Sequence, residues 1–543
     1  MRIARSDTLS PMWDDSARHE GLDEPSQARI MARRQRAPRH MHFGRTALVG
    51  LAAGLLAVAF RRALTLAETA REELVASLHA YPSWGWAILP MIGLAVGALV
   101  GWLTLKIAPE AAGSGIPHLK GALIHLRRLD WRRLIPVKFF GGVAGIGAGL
   151  SLGREGPTVQ MGAAVAQALA GPLRTPPADV PQLFSAGAGA GLAAAFNAPL
   201  AGLIFVVEEL QRELSSRTAG GALLAAVCAT VVTQWLAGDT PAFEARNLSA
   251  IPLAALPLTI VVGVLGGLGG VLFNKSVLAA LDWAHRLRRV PAWALPGLVG
   301  LAIGLAAWWL PGVAGGGHIL AERLLSGTFQ ISLPLLVLLM AVKLIATSLS
   351  YGSGAPGGIF APILLLGALM GTVFADMTGH AVPTLAVQAQ VFAVLGMAAF
   401  FVGSVRAPLT GIVLISELTG GYLLLFPICI VCLAAYLTAE ALRSRPIYDA
   451  LLEADLARRG HGPPQVAPRT LYIGVQRGAL VAHVSIRNAG LPSGCLITTI
   501  ERSGLTLIPT ADTVLLPGDH ISVLAPGDRP EAPLEIVRLC IGL

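Results

Sequence analysis

Apolar residues dominate long stretches of this chain, and polar residues interrupt them at short intervals. Mostly apolar runs cover about 44–60, continuing amphipathically to 75, then 86–107, 137–150, 158–172, 183–207, 219–237, 252–283, 293–310, 332–350, 358–375, 386–402, 408–418 and 422–442. Crossing about 30 Å of hydrocarbon takes about 20 helical residues, so several of these runs are too short to span a bilayer alone. Gly and Pro interrupt many of them. Non-helical backbone at membrane depth survives only where protein packs it or where it lines a polar cavity. The pattern therefore predicts an all-α polytopic membrane protein with broken or re-entrant helices.

The two ends read differently. Residues 1–43 predict a mostly disordered tail with a short helix at Ser26–Gln35. A membrane domain is expected over 44–459, closing on a helix at Pro446–Arg459 that leaves the bilayer. Residues 460–469 form a linker rich in Gly and Pro. From 470 to 543, short β-rich runs (Leu471–Val475, Cys495–Glu501, His520–Leu524) alternate with turn dipeptides such as Ser503-Gly504 and Gly518-Asp519. That alternation predicts a small cytoplasmic α+β domain.

Charge sharpens this division. Of 73 charged residues, 15 fall in 1–45 and 19 in 443–543, leaving 39 for the 397 residues between. A soluble fold of that size needs far more charge to cover its surface, which excludes a soluble enzyme. The net charge of +9 includes a dense arginine run at 29–45, just ahead of the first apolar stretch. On a membrane protein this places the N-terminus in the cytoplasm and does not call for nucleic acid. The first 44 residues contain no apolar core of a signal peptide, so none is expected. The five cysteines form no CxxC pair and imply neither a disulfide framework nor a metal site.

Two elements recur in the same order. Gly153-Arg-Glu-Gly-Pro157 with Gly162 matches Gly358-Ile-Phe-Ala-Pro362 with Gly367, 205 residues on. Ala198-Pro-Leu-Ala-Gly202 with Glu208 matches Ala407-Pro-Leu-Thr-Gly411 with Glu417, 209 residues on. This points to duplicated halves, about 44–240 and 252–443. Such halves with interrupted helices place a transporter's binding site at their interface.

Three glycine-rich motifs carry the candidate chemistry. Gly113-Ser-Gly-Ile-Pro117 precedes a helical stretch, and a helix start offers unpaired N–H donors and partial positive charge to an anion. Ser114 adds a hydroxyl; a plain helix cap is the alternative. In Gly153-Arg-Glu-Gly-Pro157, Glu155 lies between apolar segments, where an ionisable group is costly and functional by default. Its carboxylate would compete with an anion for the same donors, and protonation would release it; a local pair with Arg154 is the alternative. Gly357-Gly-Ile-Phe-Ala-Pro362 has no charge, so only the backbone N–H groups of Ile359 and Phe360 can serve. Dipoles bind an anion and still let it leave; a tight packing turn is the alternative. Glu208 and Glu209 close an apolar run and point in different directions, so either can pass a proton or both can be solvated. Tyr448 offers a hydroxyl if its helix tucks under the membrane domain.

These motifs, with Lys138-Phe-Phe-Gly-Gly142, Ala193–Gly202, Arg406–Gly411 and Arg445-Pro-Ile-Tyr448, resemble the CLC chloride channel/transporter family over about 44–458. The resemblance implies a homodimer of inverted-repeat subunits, each with its own anion pathway, that exchanges chloride for protons across a lipid bilayer without a cofactor. It assigns Glu155 as the gating glutamate and Glu209 as the internal proton-transfer glutamate, a position where channel members usually lack an acid. Ser114, Tyr448 and the N–H groups of Ile359 and Phe360 would bind chloride. A bacterial inner membrane with both termini cytoplasmic is expected. The chain departs from many bacterial relatives at His118 and Lys120, where those relatives are acidic; Lys120 is expected unpaired or surface-facing. Residues 470–543, with Ile500–Gly504 and Pro517-Gly-Asp519, resemble the TrkA-C/RCK-C domain. That likeness implies a regulatory or dimerisation module, with a small ligand as a further partner.

Three rivals stand beside exchange. A passive chloride channel would not need Glu209. A potassium-uptake component would need a TVGYG-like filter, which the sequence lacks. An ATP-driven pump would need a Walker A lysine after glycine, and none of the five lysines follows one.

Overall fold

A computed structural model describes residues 39–541, apart from 124–126, 177–178, 212–215, 240–242, 244–247, 288, 329–330, 382–386, 459–468, 477, 503–504 and 527–531. The expected helix at Ser26–Gln35, residues 460–468 of the linker and the Ser503-Gly504 turn lie outside the described residues; Arg469, expected in the linker, opens a strand. Most apolar runs become helices: α1 (Arg39–Leu78), α2 (Gly85–Ile107), α3 (Ile116–Leu123), α4 (Trp131–Gly147), α5 (Glu155–Ala170), α6 (Val180–Phe196), α7 (Pro199–Phe205), α8 (Ser216–Ala237), α9 (Leu256–Arg286), α10 (Leu295–Trp309), α11 (His318–Leu325), α12 (Leu333–Gly352), α13 (Phe360–Ala381), α14 (Ala389–Val405), α15 (Pro408–Thr419), α16 (Leu425–Ala441) and α17 (Ile447–Arg458). Among the described residues, eight helices are long and apolar enough to cross a membrane, and α6, α14 and α15 are shorter apolar helices. The chain is a multi-pass integral membrane protein.

The run at 183–207 is not one helix. Asn197 takes a left-handed conformation at φ 57° and ends α6, and Pro199 opens α7. A left-handed residue followed by proline cannot continue a helix. The same break recurs 209 residues later, where Arg406 at φ 68° ends α14 and Pro408 opens α15. Close backbone crossings recur too. A Cβ on Gly162 would lie 2.2 Å from the Gly187 carbonyl, and one on Gly367 would lie 2.4 Å from that of Gly396. Only glycine lets α5 pass α6, and α13 pass α14, at that distance.

The chain divides into two compact units, one ending at Asp449 and one beginning at Ala450. The second holds an antiparallel sheet of β1 (Arg469–Gly474), β2 (Leu496–Arg502), β3 (Leu505–Leu507) and β4 (His520–Ala525), in the order β1-β4-β2-β3. Helix α18 (Ala532–Ile541) adds Ile536 and Cys540 to a core that includes Ile497, Ile500, Ile521 and Val523.

Candidate functional site

The three glycine motifs are joined through their backbones. Gly153 and Gly358 exchange N–H···O bonds of 2.6 and 2.7 Å. Gly113 donates to the Ala355 carbonyl at 3.1 Å and accepts from the Gly357 N–H at 3.0 Å. A Cβ on Gly156 would stand 2.7 Å from the Ser114 carbonyl, so the loop before α3 packs directly on the start of α5. The beginnings of α3, α5 and α13 thus meet at one place. Their partial positive ends gather in an interior where little water screens them.

Two buried lysines brace the loops. Lys138 Nζ donates to the carbonyls of Ala111 and Gly113 at 2.9 and 2.6 Å. In the second half, 205 residues after Lys138, Lys343 Nζ donates to Val313 and Gly315 at 2.9 and 2.7 Å. Both side chains are fully buried. Each fixes a loop from within the interior.

Glu155 is fully buried at the first turn of α5. Its Oε2 accepts from the Ala361 N–H at 3.3 Å, so the carboxylate reaches the start of α13. Its Oε1 lies 2.8 Å from His318 Nε2 and 3.8 Å from Arg154 Nε. His318 opens α11, and its ring stacks on Phe243 with centroids 5.6 Å apart. Ser114 is fully buried, and its Oγ accepts from the Ile116 N–H at 3.2 Å, as a helix cap does. Ile359 and Phe360 are also fully buried, with the Phe360 ring between Phe196 and Phe401. The N–H that Glu155 takes belongs to Ala361, one residue beyond that pair. The Tyr448 side chain is fully buried, and its hydroxyl has no hydrogen-bond partner among the described residues.

The backbone from Val206 to Gln211 forms a π-helical turn, which separates Glu208 from Glu209. Glu208 turns to α15, accepting from the N–H groups of Leu409 and Thr410 at 3.1 and 2.7 Å and from the Thr410 hydroxyl at 2.7 Å. Glu417 returns the arrangement, accepting from Leu200 and Ala201 at the start of α7 at 3.1 and 2.7 Å. Glu209 is buried and lies 2.7 Å from Lys120 Nζ. Lys120 also reaches Asp449 at 2.5 Å. The expectation that Lys120 is unpaired or surface-facing is therefore incorrect: α3 runs inward, and its ammonium is buried between two carboxylates. Glu208 and Glu209 border a cavity of about 530 Å³ that Arg406, Glu440, Arg443 and Arg445 also line.

His318, Asp449 and the bracing lysines were not among the candidates from sequence. A usable signal existed for one of them. Gly315-Gly-Gly317 repeats Gly113-Ser-Gly115 at a spacing of 202, and His318 follows it directly.

Comparison with known proteins agrees with this architecture. Residues 96–440 match the voltage gated chloride channel family, and residues 472–531 match the TrkA-C domain. The H(+)/Cl(-) exchange transporter ClcA of Cronobacter sakazakii is 39% identical over 419 residues, covering 76% of this chain and 89% of that protein. The ClcA protein of Yersinia pestis is 40% identical over 423 residues, covering 76% and 87%. The structure of a slow cyanobacterial Cl-/H+ antiporter superposes with a TM-score of 0.73 at 33% identity, covering 77% of this chain and 99% of that one. A CLC-type fluoride/proton antiporter shares the fold, with a TM-score of 0.62 at 24% identity over 74% of this chain and 95% of that one. The chain belongs to the voltage gated chloride channel family, the CLC proteins.

Proposed function

We propose that this protein is a secondary active transporter that exchanges chloride for protons. One observation carries the reading: the buried Glu155 carboxylate lies at the start of α13, accepting a backbone N–H where an anion would be bound. As a carboxylate it blocks that position, and as an acid it leaves. One side chain therefore links proton movement to anion movement. Ser114, Tyr448 and the N–H groups of Ile359 and Phe360 are the proposed chloride donors, and the partnerless Tyr448 hydroxyl supports this. Glu209, buried beside a charged cavity, is the proposed internal proton acceptor. The relatives named as exchangers support coupling over passive conduction.

The protein is further proposed to be a homodimer in a bacterial inner membrane with both termini cytoplasmic, and its last domain to bind a small regulatory ligand. The test of exchange is proton uptake driven by a chloride gradient in proteoliposomes with the membrane potential clamped. Uphill proton movement supports exchange. Chloride flux without any proton movement supports the passive channel instead.

A further inference from the structure

Three charged side chains from three separate elements meet at Glu209. Lys120 comes from α3, Glu209 from the π-helical turn and Asp449 from the first turn of α17. The Lys120 ammonium lies 2.7 Å from Glu209 Oε1 and 2.5 Å from Asp449 Oδ1. Its side chain is 9% exposed, that of Glu209 4% and that of Asp449 24%. With both carboxylates ionised the trio carries one negative charge in excess, and one added proton makes it neutral. In a poorly screened interior that difference governs when the proton is taken up.

We propose that Lys120 and Asp449 are positioning residues that set the proton concentration at which Glu209 loads. This rests on Glu209 being the internal proton acceptor. The ammonium stabilises the ionised form of Glu209. Asp449 draws the same ammonium away and weakens that effect. When a proton from the cavity adds to a Glu209 oxygen, forming an O–H bond, Lys120 is not left as an uncompensated buried cation, because Asp449 still faces it. When the proton leaves, the ammonium is shared again. No bond to nitrogen changes. The neighbouring charged or titratable groups are Glu208, which caps α15, the Tyr448 hydroxyl, and Arg406, Glu440, Arg443 and Arg445 around the cavity. Arg406 and Glu440 pair with each other, and Glu208 is held by three donors. Lys120 is an ion-pair partner of Glu209 at 2.7 Å.

The two positioning residues act in opposite directions, which gives a test that general damage cannot imitate. Full-length protein in liposomes is assayed for proton uptake against the pH on the cavity side, each variant normalised to its own maximum. Asp449→Asn gives Lys120 wholly to Glu209 and moves the profile to lower pH. Lys120→Met removes the cation and leaves Glu209 beside an anion, which moves the profile to higher pH. Each shift is about one pH unit or more, a tenfold change in proton concentration. Lys120→Arg keeps a cation and holds the profile near wild type, so it serves where Lys120→Met folds poorly. Shifts in the same direction, or wild-type profiles in both variants while Glu209→Gln loses proton uptake, overturn the inference and leave the exchange reading intact. Full proton uptake in Glu209→Gln removes Glu209 as the internal proton acceptor and the inference with it, while exchange itself stands.

Discussion

His318 Nε2 stands 2.8 Å from Glu155 Oε1, so the Glu155 carboxylate faces an imidazole as well as a helix start. An imidazole this close to a carboxylate favours its ionised form. Its removal makes Glu155 easier to protonate and to displace. His318→Gln is expected to move the pH profile of chloride flux to higher pH by about one unit. Chloride efflux measured across a pH series checks this, and an unchanged profile contradicts it.

Glu208 and Glu417 cap each other's repeat half, each carboxylate receiving two backbone N–H groups at a helix start. Their role is structural, although Glu208 is adjacent to Glu209. Glu208→Gln and Glu417→Gln are expected to cost about 1 kcal/mol each by weakening a charged cap. Thermal unfolding in detergent measures that loss. The ratio of protons to chloride should stay at the wild-type value, and a lost ratio in Glu208→Gln would assign that residue to the proton path.

Tyr448 gives a clean probe of the proposed anion site. Its hydroxyl bonds no described protein group, so Tyr448→Phe removes no protein hydrogen bond. Folding stability should hold, whereas chloride binding measured by calorimetry should weaken about tenfold, the value of a hydrogen bond to a charged group. Equal chloride affinity would take Tyr448 out of the site.

The C-terminal unit carries its own acid-sensitive contact. Arg502 donates twice to Asp519, at 2.8 and 2.7 Å, and Leu516 N–H donates at 2.8 Å. The arginine hydrogen bonds hold the Asp519 carboxyl below the usual carboxylate range. A depressed carboxyl stabilises the fold fully above its unfolded value of about 3.9, and that contribution disappears as pH falls through the folded value. Stability of this unit should therefore fall as the pH drops below about 4. Asp519→Asn should cost about 1.5–3 kcal/mol at neutral pH and flatten the acid limb. Denaturant unfolding at a series of pH values reads both effects.

Hydrophobic runs made α2, α9, α12 and α13 legible in the sequence, because each is long and continuously apolar. They did not reveal α11. That helix has eight residues, begins after three glycines and includes Glu322 and Arg323, so its apolar face is too short to read as a run. The break at Asn197 was hidden inside an apolar run, although a proline two residues on marked it. Of the residues in the proposed site, Ser114, Glu155 and Glu209 stand out in the sequence locally by charge or by glycine spacing. Asp449 was not, because its partner Lys120 lies 329 residues earlier and only the tertiary fold joins them.

Proton–chloride coupling through Glu155 is the central claim, and simultaneous recording of chloride efflux and proton uptake from the same liposomes tests it most directly. Wild-type protein should take up protons as chloride leaves. Glu155→Gln should keep chloride flux, lose proton uptake and become insensitive to pH, because an amide cannot alternate between blocking and leaving the anion site. Glu209→Gln should also lose proton uptake but keep a pH-sensitive chloride flux, since Glu155 still titrates. Persistent proton uptake in Glu155→Gln, or wild-type chloride efflux with none, would contradict the mechanism.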